Sequence, residues 1–402
     1  MRAIILPGKA NGIIQAPPSK SMAHRILMAS GLAEGTTIIR NIDLSEDVKA
    51  TLGILENLGC QYTMDQNTIY MEGIGGKPII AKGDLYCNES GSTLRFFIPL
   101  LLIEGKPAKF VGAKRLFERP LDIYQTICEE QGIRFEKMEA ALEVEGTLKA
   151  MHYRVPGGIS SQFLTGLLFA LPLLKEDSVL EILPPIESSA YIDMTIETLK
   201  MYGIQLEQKE NCIRILGNQR YHAKDCEVEG DYSNAAFLDA LGLIGGTVSV
   251  TGLREQSLQG DQIYKIYFEQ LKEENPELDI SECPDLGPIL MGLAAAGKGA
   301  VLTGTRRLRM KESDRGVAMA QELKKFGIEV QVEENKIIVA PGNLCTPKEM
   351  LCGHNDHRIV MTLATLCTIT GGTIDGCEAV RKSFPQYFDV IARLGINIKI
   401  EK

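Results

Sequence analysis

The sequence predicts an α/β protein of two similar halves, each with sheets outside and buried helices within. Three observations predict this. A polar helix start, an apolar helix and a turn recur in that order six times along the 402 residues. Each copy runs on into a β-prone stretch, a second, amphipathic helix and then a hairpin of alternating polarity. The first helix of each copy is apolar nearly all round, which suits a buried helix better than a surface one.

The elements follow in order. Pro17 and Pro18 stop the chain, and "SKSMAHRILMASGLAEG" opens the first helix, with Met22, Ile26, Ala29 and Ala33 at helical spacing. The later openings are "NESGSTLRFFIPLLLIEG", "ISSQFLTGLLFALPLLKED", "GDYSNAAFLDALGLIGG", "CPDLGPILMGLAAAGKG" and "NDHRIVMTLATLCTITGG". The β-prone runs are "TTIIRNI", "PAKFVGA", "SVLEIL", "TVSVTGL", "AVLTGT" and "TIDGC". Second helices such as "YIDMTIETLKMYGI" and "MAQELKKFGI" close on Gly59, Gly132, Gly203, Gly327 and Gly395, as a left-handed C-terminal cap requires. Hairpins such as "IQLEQKENCIRILG" complete each copy. The period is about 70 residues, the size of an α/β subdomain, and is shorter between the fourth and fifth copies. The fourth second helix, near "YKIYFEQLKEENPEL", lacks a closing glycine.

Three copies per half place a first domain at residues 13–225 and a second at 1–12 plus 226–402, the seam falling near "KDCEVEGDY". The composition, 45% hydrophobic and 24% charged, is that of a soluble globular chain. A net charge of −9 argues against a bulk electrostatic grip on nucleic acid, so any anion site is local. Ten scattered cysteines without a CxxC pair read as reduced thiols. No signal peptide or membrane span is evident, so the expectation is a cytoplasmic protein.

The helix starts carry the candidate chemistry. The first has Lys20, Ser21 and Arg25, with Ser21 and Arg25 on one face. The second has Ser90, Gly91, Ser92 and Arg95, and the third Ser160, Ser161 and Gln162. The fourth to sixth bring Asp231 and Ser233, then Asp285, then Asn355, Asp356, His357 and Arg358. "RLFERPLD" adds Arg119, and "RLRMKESDR" adds Lys311, Glu312 and Arg315, with Lys311 and Arg315 at a spacing that could share a helix face. Taken singly, each serine reads as a cap, the Lys20/Arg25 pair as a solvated face and KESDR as a charged turn. His354 and His357 lack a third ligand at any metal spacing, so no metal is expected. Six polar helix starts in register, aimed at a shared cleft, point instead to phosphate- or carboxylate-bearing ligands.

"SKSMAHR", "SGSTLR", "ERPLD", "SSQFLTGLL", "YIDMT", "KESDR", "NDHR" and "KSFPQYF" together resemble, in order and over nearly the whole chain, the 3-phosphoshikimate 1-carboxyvinyltransferase (EPSP synthase) family. The resemblance implies two inside-out α/β barrels, each of three βαβαββ units, with the helix N-termini facing an interdomain cleft. It implies transfer of the enolpyruvyl group of phosphoenolpyruvate to the 5-hydroxyl of shikimate 3-phosphate, without cofactor, by a monomer. Shikimate 3-phosphate would be held by Lys20, Ser21, Arg25, Ser160, Ser161, Gln162, Ser188, Asp285 and Lys311. Phosphoenolpyruvate would be held by Lys20, Gly91, Arg119, Gln162, Arg315, Arg358 and Lys382. Asp285 matches the carboxylate that takes the hydroxyl proton, and Glu312 the proton donor to the methylene carbon, with Lys20 and Lys311 beside them.

The chain departs from the pattern in places. Glu89 and Ser90 stand where many members have Asn-Ala, Phe96 where many have Pro, and "TRRLRM" lacks an aromatic found in some. Gly91, rather than alanine, implies sensitivity to glyphosate. Two other readings compete. UDP-N-acetylglucosamine 1-carboxyvinyltransferases share the fold but usually carry a loop cysteine before the matching arginine, where this chain has "AKRLFE". A non-catalytic phosphoanion-binding scaffold would not need Asp285, Glu312, Lys20 and Lys311 together.

Overall fold

Five of the six repeats build a four-stranded sheet with one strand order. In the computed structural model, which describes all residues from Met1 to Lys402, each sheet has two parallel strands and two further antiparallel ones. A buried helix joins the parallel strands in all but the first repeat, where Cys226–Glu227 pairs with Thr36–Arg40, and a hairpin supplies the antiparallel strands in all but the last, where Arg2–Ile5 and Ile398–Glu401 do so. The second repeat shows the plan. Leu85–Tyr86 leads into helix Gly91–Leu101 and returns as the parallel strand Ala108–Val111. Arg134–Lys137 and Ala141–Glu145 then add the hairpin. Corresponding sheets form around Thr36–Arg40, Ser178–Leu183, Ala300–Thr303 and Gly372–Asp375.

The fourth repeat is the exception to the expected three βαβαββ units per half. Its sheet has only Thr247–Thr251 and the parallel Asn11–Gln15. After helix Tyr264–Gln270 only residues 271–276 remain before Glu277–Asp279, which already belongs to the next sheet. That leaves no chain for a hairpin, which accounts for the short fourth period.

The chain divides into a continuous unit, Lys20–Glu229, and a split unit, Met1–Ser19 with Gly230–Lys402. Both boundaries lie later than residues 13 and 226. Ile13–Gln15 pair with Val250 and its neighbours in the split unit, and Cys226–Glu227 pair with Ile39–Arg40 in the continuous one. Arg2–Ile5 is an inner strand, between Gly372–Asp375 and Ile398–Glu401.

Each unit has its own core of buried apolar side chains. Helix Gly287–Ala296 is buried along nearly its whole length, as are Gly91–Leu101 and Ser161–Ala170. Two glycines permit the close helix packing. A Cβ on Gly166 would lie 2.3 Å from the Arg95 carbonyl oxygen, and one on Gly292 2.5 Å from Thr362 Cγ2. The five expected cap glycines all have positive φ, from 69° at Gly132 to 107° at Gly59. No helix is long and apolar enough to cross a membrane.

Candidate active site

The continuous unit gathers its polar groups at the starts of its buried helices. Arg25 is 3% exposed, one turn into helix Lys20–Leu32. Its Nη1 donates to the Ser21 carbonyl (2.8 Å), Nε to Thr195 Oγ1 (2.9 Å) and Nη2 to the Tyr191 carbonyl (2.9 Å). The Phe96 and Tyr191 rings flank the guanidinium. Every partner is neutral, so the buried charge has no carboxylate beside it, and burial lowers its pKa to about 10. A cation held this way is poised for an anionic ligand.

Lys20, at the same helix start, pairs with the buried Asp47 at 2.9 Å. Ser160 caps helix Ser161–Ala170 by accepting from the Gln162 N–H, which is the bland role expected of a helix-start serine. The Gln162 side chain joins two helices, accepting from Arg95 Nη1 (2.9 Å) and donating to Ser92 Oγ (3.0 Å). Ser188 is buried in left-handed backbone, φ 57°, just ahead of the helix that supplies Tyr191 and Thr195. Gly91 starts its helix against two guanidinium groups. A Cβ there would lie 2.7 Å from Arg119 Nη1 and 2.8 Å from Arg95 Nη1.

Sequence reasoning missed a buried hydroxyl chain beneath these groups. His24 Nδ1 lies 2.8 Å from Thr51 Oγ1, Thr51 lies 2.8 Å from Thr93 Oγ1, and Thr93 donates to Ser90 Oγ at 2.7 Å. Burial, with Lys20 and Arg25 nearby, pushes the His24 pKa well down, so the ring is neutral.

The split unit builds an ionic cluster around Asp285, in the 3₁₀ turn Pro284–Leu286 ahead of helix Gly287–Ala296. Its Oδ1 lies 3.0 Å from Lys311 Nζ and 2.7 Å from Arg315 Nη1, and its Oδ2 2.9 Å from Arg358 Nη2. Arg315, 1% exposed, also donates to Glu312 (2.8 Å) and to Asp356 (2.8 Å). Arg358 reaches Ser233 Oγ at 2.5 Å, and Lys382 donates to the Asn355 carbonyl at 2.5 Å. Burial works to raise the Asp285 pKa, but Arg358, Lys311 and Arg315 outweigh it and hold the carboxyl well below the usual range. Burial brings Lys311 down to about 8, the Asp285 charge notwithstanding.

One expectation fails here. Lys311 and Arg315 do not share a helix face, because Lys311 is extended beyond the 3₁₀ turn Thr305–Met310 and Asp314 caps a new helix, Arg315–Lys325. The two cations meet on Asp285 instead. Asp356, seen in the sequence only as a helix-start residue, is the partner that orients Arg315. His354 bonds to Glu322 rather than pairing with His357.

A family model described as "EPSP synthase (3-phosphoshikimate 1-carboxyvinyltransferase)" matches residues 6–391. The chain belongs to the EPSP synthase family. A 3-phosphoshikimate 1-carboxyvinyltransferase from Clostridium kluyveri is 39% identical, the match covering 98% of this chain and 97% of that one. One from Clostridioides difficile is 37% identical with the same coverage. A solved EPSP synthase from Acinetobacter baumannii shares the fold, with a TM-score of 0.80 at 24% identity over 100% of both chains.

Two departures from the usual EPSP synthase pattern have local explanations. Ser90, in place of Ala, caps helix Gly91–Leu101 and ends the hydroxyl chain from His24. Phe96, in place of Pro, lies against both the Arg25 guanidinium and the His24 ring.

Proposed function

We infer that this EPSP synthase family member transfers the enolpyruvyl group of phosphoenolpyruvate to the 5-hydroxyl of shikimate 3-phosphate and releases phosphate. Beyond family membership, the observation that carries the reading is Asp285, an ionised carboxylate held by Lys311, Arg315 and Arg358. Shikimate 3-phosphate is assigned to Lys20, Ser21, Arg25, Ser160, Ser161, Gln162, Ser188, Asp285 and Lys311. Phosphoenolpyruvate is assigned to Lys20, Gly91, Arg119, Gln162, Arg315, Arg358 and Lys382. The neutrally partnered Arg25 supports the first set, and the concentration of arginines supports the second.

The chemistry needs one proton on the methylene carbon and one taken from the hydroxyl. Glu312 is assigned the first transfer and Asp285 the second. While three cations rest on Asp285 it is a weak base. Anionic substrates that draw those cations away return it towards ordinary carboxylate basicity. The tetrahedral intermediate carries a phosphate and a carboxylate, which the clustered cations stabilise. In elimination the two groups exchange roles: Glu312 takes a proton from the new methyl group as the C–O bond to phosphate breaks, and Asp285 passes its proton to the departing phosphate.

The reading includes a cytoplasmic monomer that needs no metal or cofactor, and closure of the two units when both anions bind. Phosphate release from the two substrates together tests the activity. Calorimetry with shikimate 3-phosphate and with UDP-N-acetylglucosamine separates it from the nucleotide-sugar reading. Binding of both substrates without phosphate release would sink it in favour of a scaffold.

A further inference from the structure

Glu322 lies two turns beyond Arg315 on helix Arg315–Lys325, and its side chain is 2% exposed. It holds none of the positions assigned above to either substrate. One oxygen accepts from the Lys325 ammonium (2.8 Å) and from the Cys352 N–H (2.9 Å), and the other lies 2.9 Å from His354 Nε2. Burial acts to raise the carboxyl pKa, but the His354, Lys325 and Cys352 bonds outweigh it and keep the group ionised.

His354 and the next residue, Asn355, are both in left-handed backbone, at φ 48° and 51°. Residues other than glycine hold that conformation in succession only where their surroundings impose it. Here the His354 ring is tied to Glu322 and its N–H to Cys352 Sγ at 3.3 Å, while the Asn355 carbonyl accepts from Lys382. Asp356 follows at once. It grips Arg315 and caps the helix that begins with His357 and Arg358. A single helix thus secures this loop at two points, through Glu322 at Cys352 and His354, and through Arg315 at Asp356.

We propose that His354 and Glu322 are positioning residues that fix the Asn355–Arg358 loop and, through it, Arg315, Arg358 and Lys382. This rests on the assignment of those three cations to phosphoenolpyruvate. The Asn355 carbonyl that receives Lys382 takes its direction from the two left-handed residues. Releasing the His354 ring lets that peptide relax, and the lysine and the Asp356 cap shift with it. The residues assigned to shikimate 3-phosphate in Lys20–Glu229 draw no support from this bond.

Steady-state kinetics with the full chain, paired with calorimetry of shikimate 3-phosphate, test the proposal. His354→Ala is expected to raise the KM for phosphoenolpyruvate on the order of tenfold, a misplacement effect. Shikimate 3-phosphate affinity should stay within about twofold of wild type, since only remote contacts change. His354→Gln, whose side-chain amide can donate where Nε2 does, should recover most of the loss. An unchanged KM in His354→Ala overturns the proposal, and so does an equal loss for both substrates, which would mark a general disturbance. If His354→Ala does not fold, His354→Asn, too short to reach Glu322, compared with His354→Gln decides the matter. Wild type is assayed first. Absence of phosphate release there would overturn the activity itself, a result distinct from a normal wild type with an unaffected variant.

Discussion

Arg315 Nη1 lies 2.7 Å from Asp285 Oδ1, and the same buried guanidinium holds Glu312 and Asp356. One side chain therefore sets the geometry of both carboxylates assigned to proton transfer. Arg315→Ala would leave three carboxylates short of charge in a buried site. It is expected to lower stability by about 3–5 kcal/mol, the cost of breaking a buried pair, read from urea denaturation. A loss below about 1 kcal/mol would mean the cluster is far better hydrated than its burial indicates.

Asp285→Asn keeps the shape and removes the carboxylate assigned as base. The turnover number should fall by about 10²–10⁴, with shikimate 3-phosphate still bound in calorimetry. Glu312→Gln should lose turnover in the same range, and near-wild-type rates in either variant would remove that residue from its assigned role.

Arg25 is a buried cation among neutral oxygens and two rings, so its desolvation is poorly compensated in the free protein. Arg25→Met should leave the urea midpoint unchanged or raised, while shikimate 3-phosphate affinity drops on the order of 10–100-fold, the worth of a charged hydrogen bond. A large loss of stability with affinity preserved would make Arg25 structural.

Lys311 titrates near pH 8 in the free protein. Its positive charge is present below that pH and is lost above it, so substrate affinity should weaken as pH rises through about 8. In the pH profile of kcat/KM this appears as a falling alkaline limb. Lys311→Arg, charged throughout, should displace that limb upward, and a limb that stays in place assigns it to another group.

Gly91→Ala would drive a methyl group against the Arg119 and Arg95 guanidinium ends. These are the tips of flexible side chains, so the fold should survive with little change in melting temperature. The KM for phosphoenolpyruvate should rise on the order of tenfold or more as Arg119 moves. Shikimate 3-phosphate binding, measured alone, should hold.

The legible parts of this protein were local ones. Polar helix starts, apolar helix bodies and the glycines at 59, 132, 203, 327 and 395 each depend on neighbours within a turn or two. The Asp285 cluster was legible as a set of residues but not as a geometry. The break between Lys311 and Arg315 depends on Asp314 capping the following helix, and Asp356 meets Arg315 only through tertiary packing. The His24–Thr51–Thr93–Ser90 chain joins three helices, and no periodicity marks a hydroxyl that bonds across them. The missing fourth hairpin left a trace in the repeat length, yet only the strand pairing shows which element is absent.

Arg2–Ile5 lies between Gly372–Asp375 and Ile398–Glu401. Its pairings join segments far apart in the chain, whereas Lys20–Glu229 is a continuous stretch whose contacts lie within it. The half that carries Asp285, Glu312 and Arg315 thus depends on pairing between the two ends of the chain that the other half does not need, and it is expected to be the slower of the two to fold.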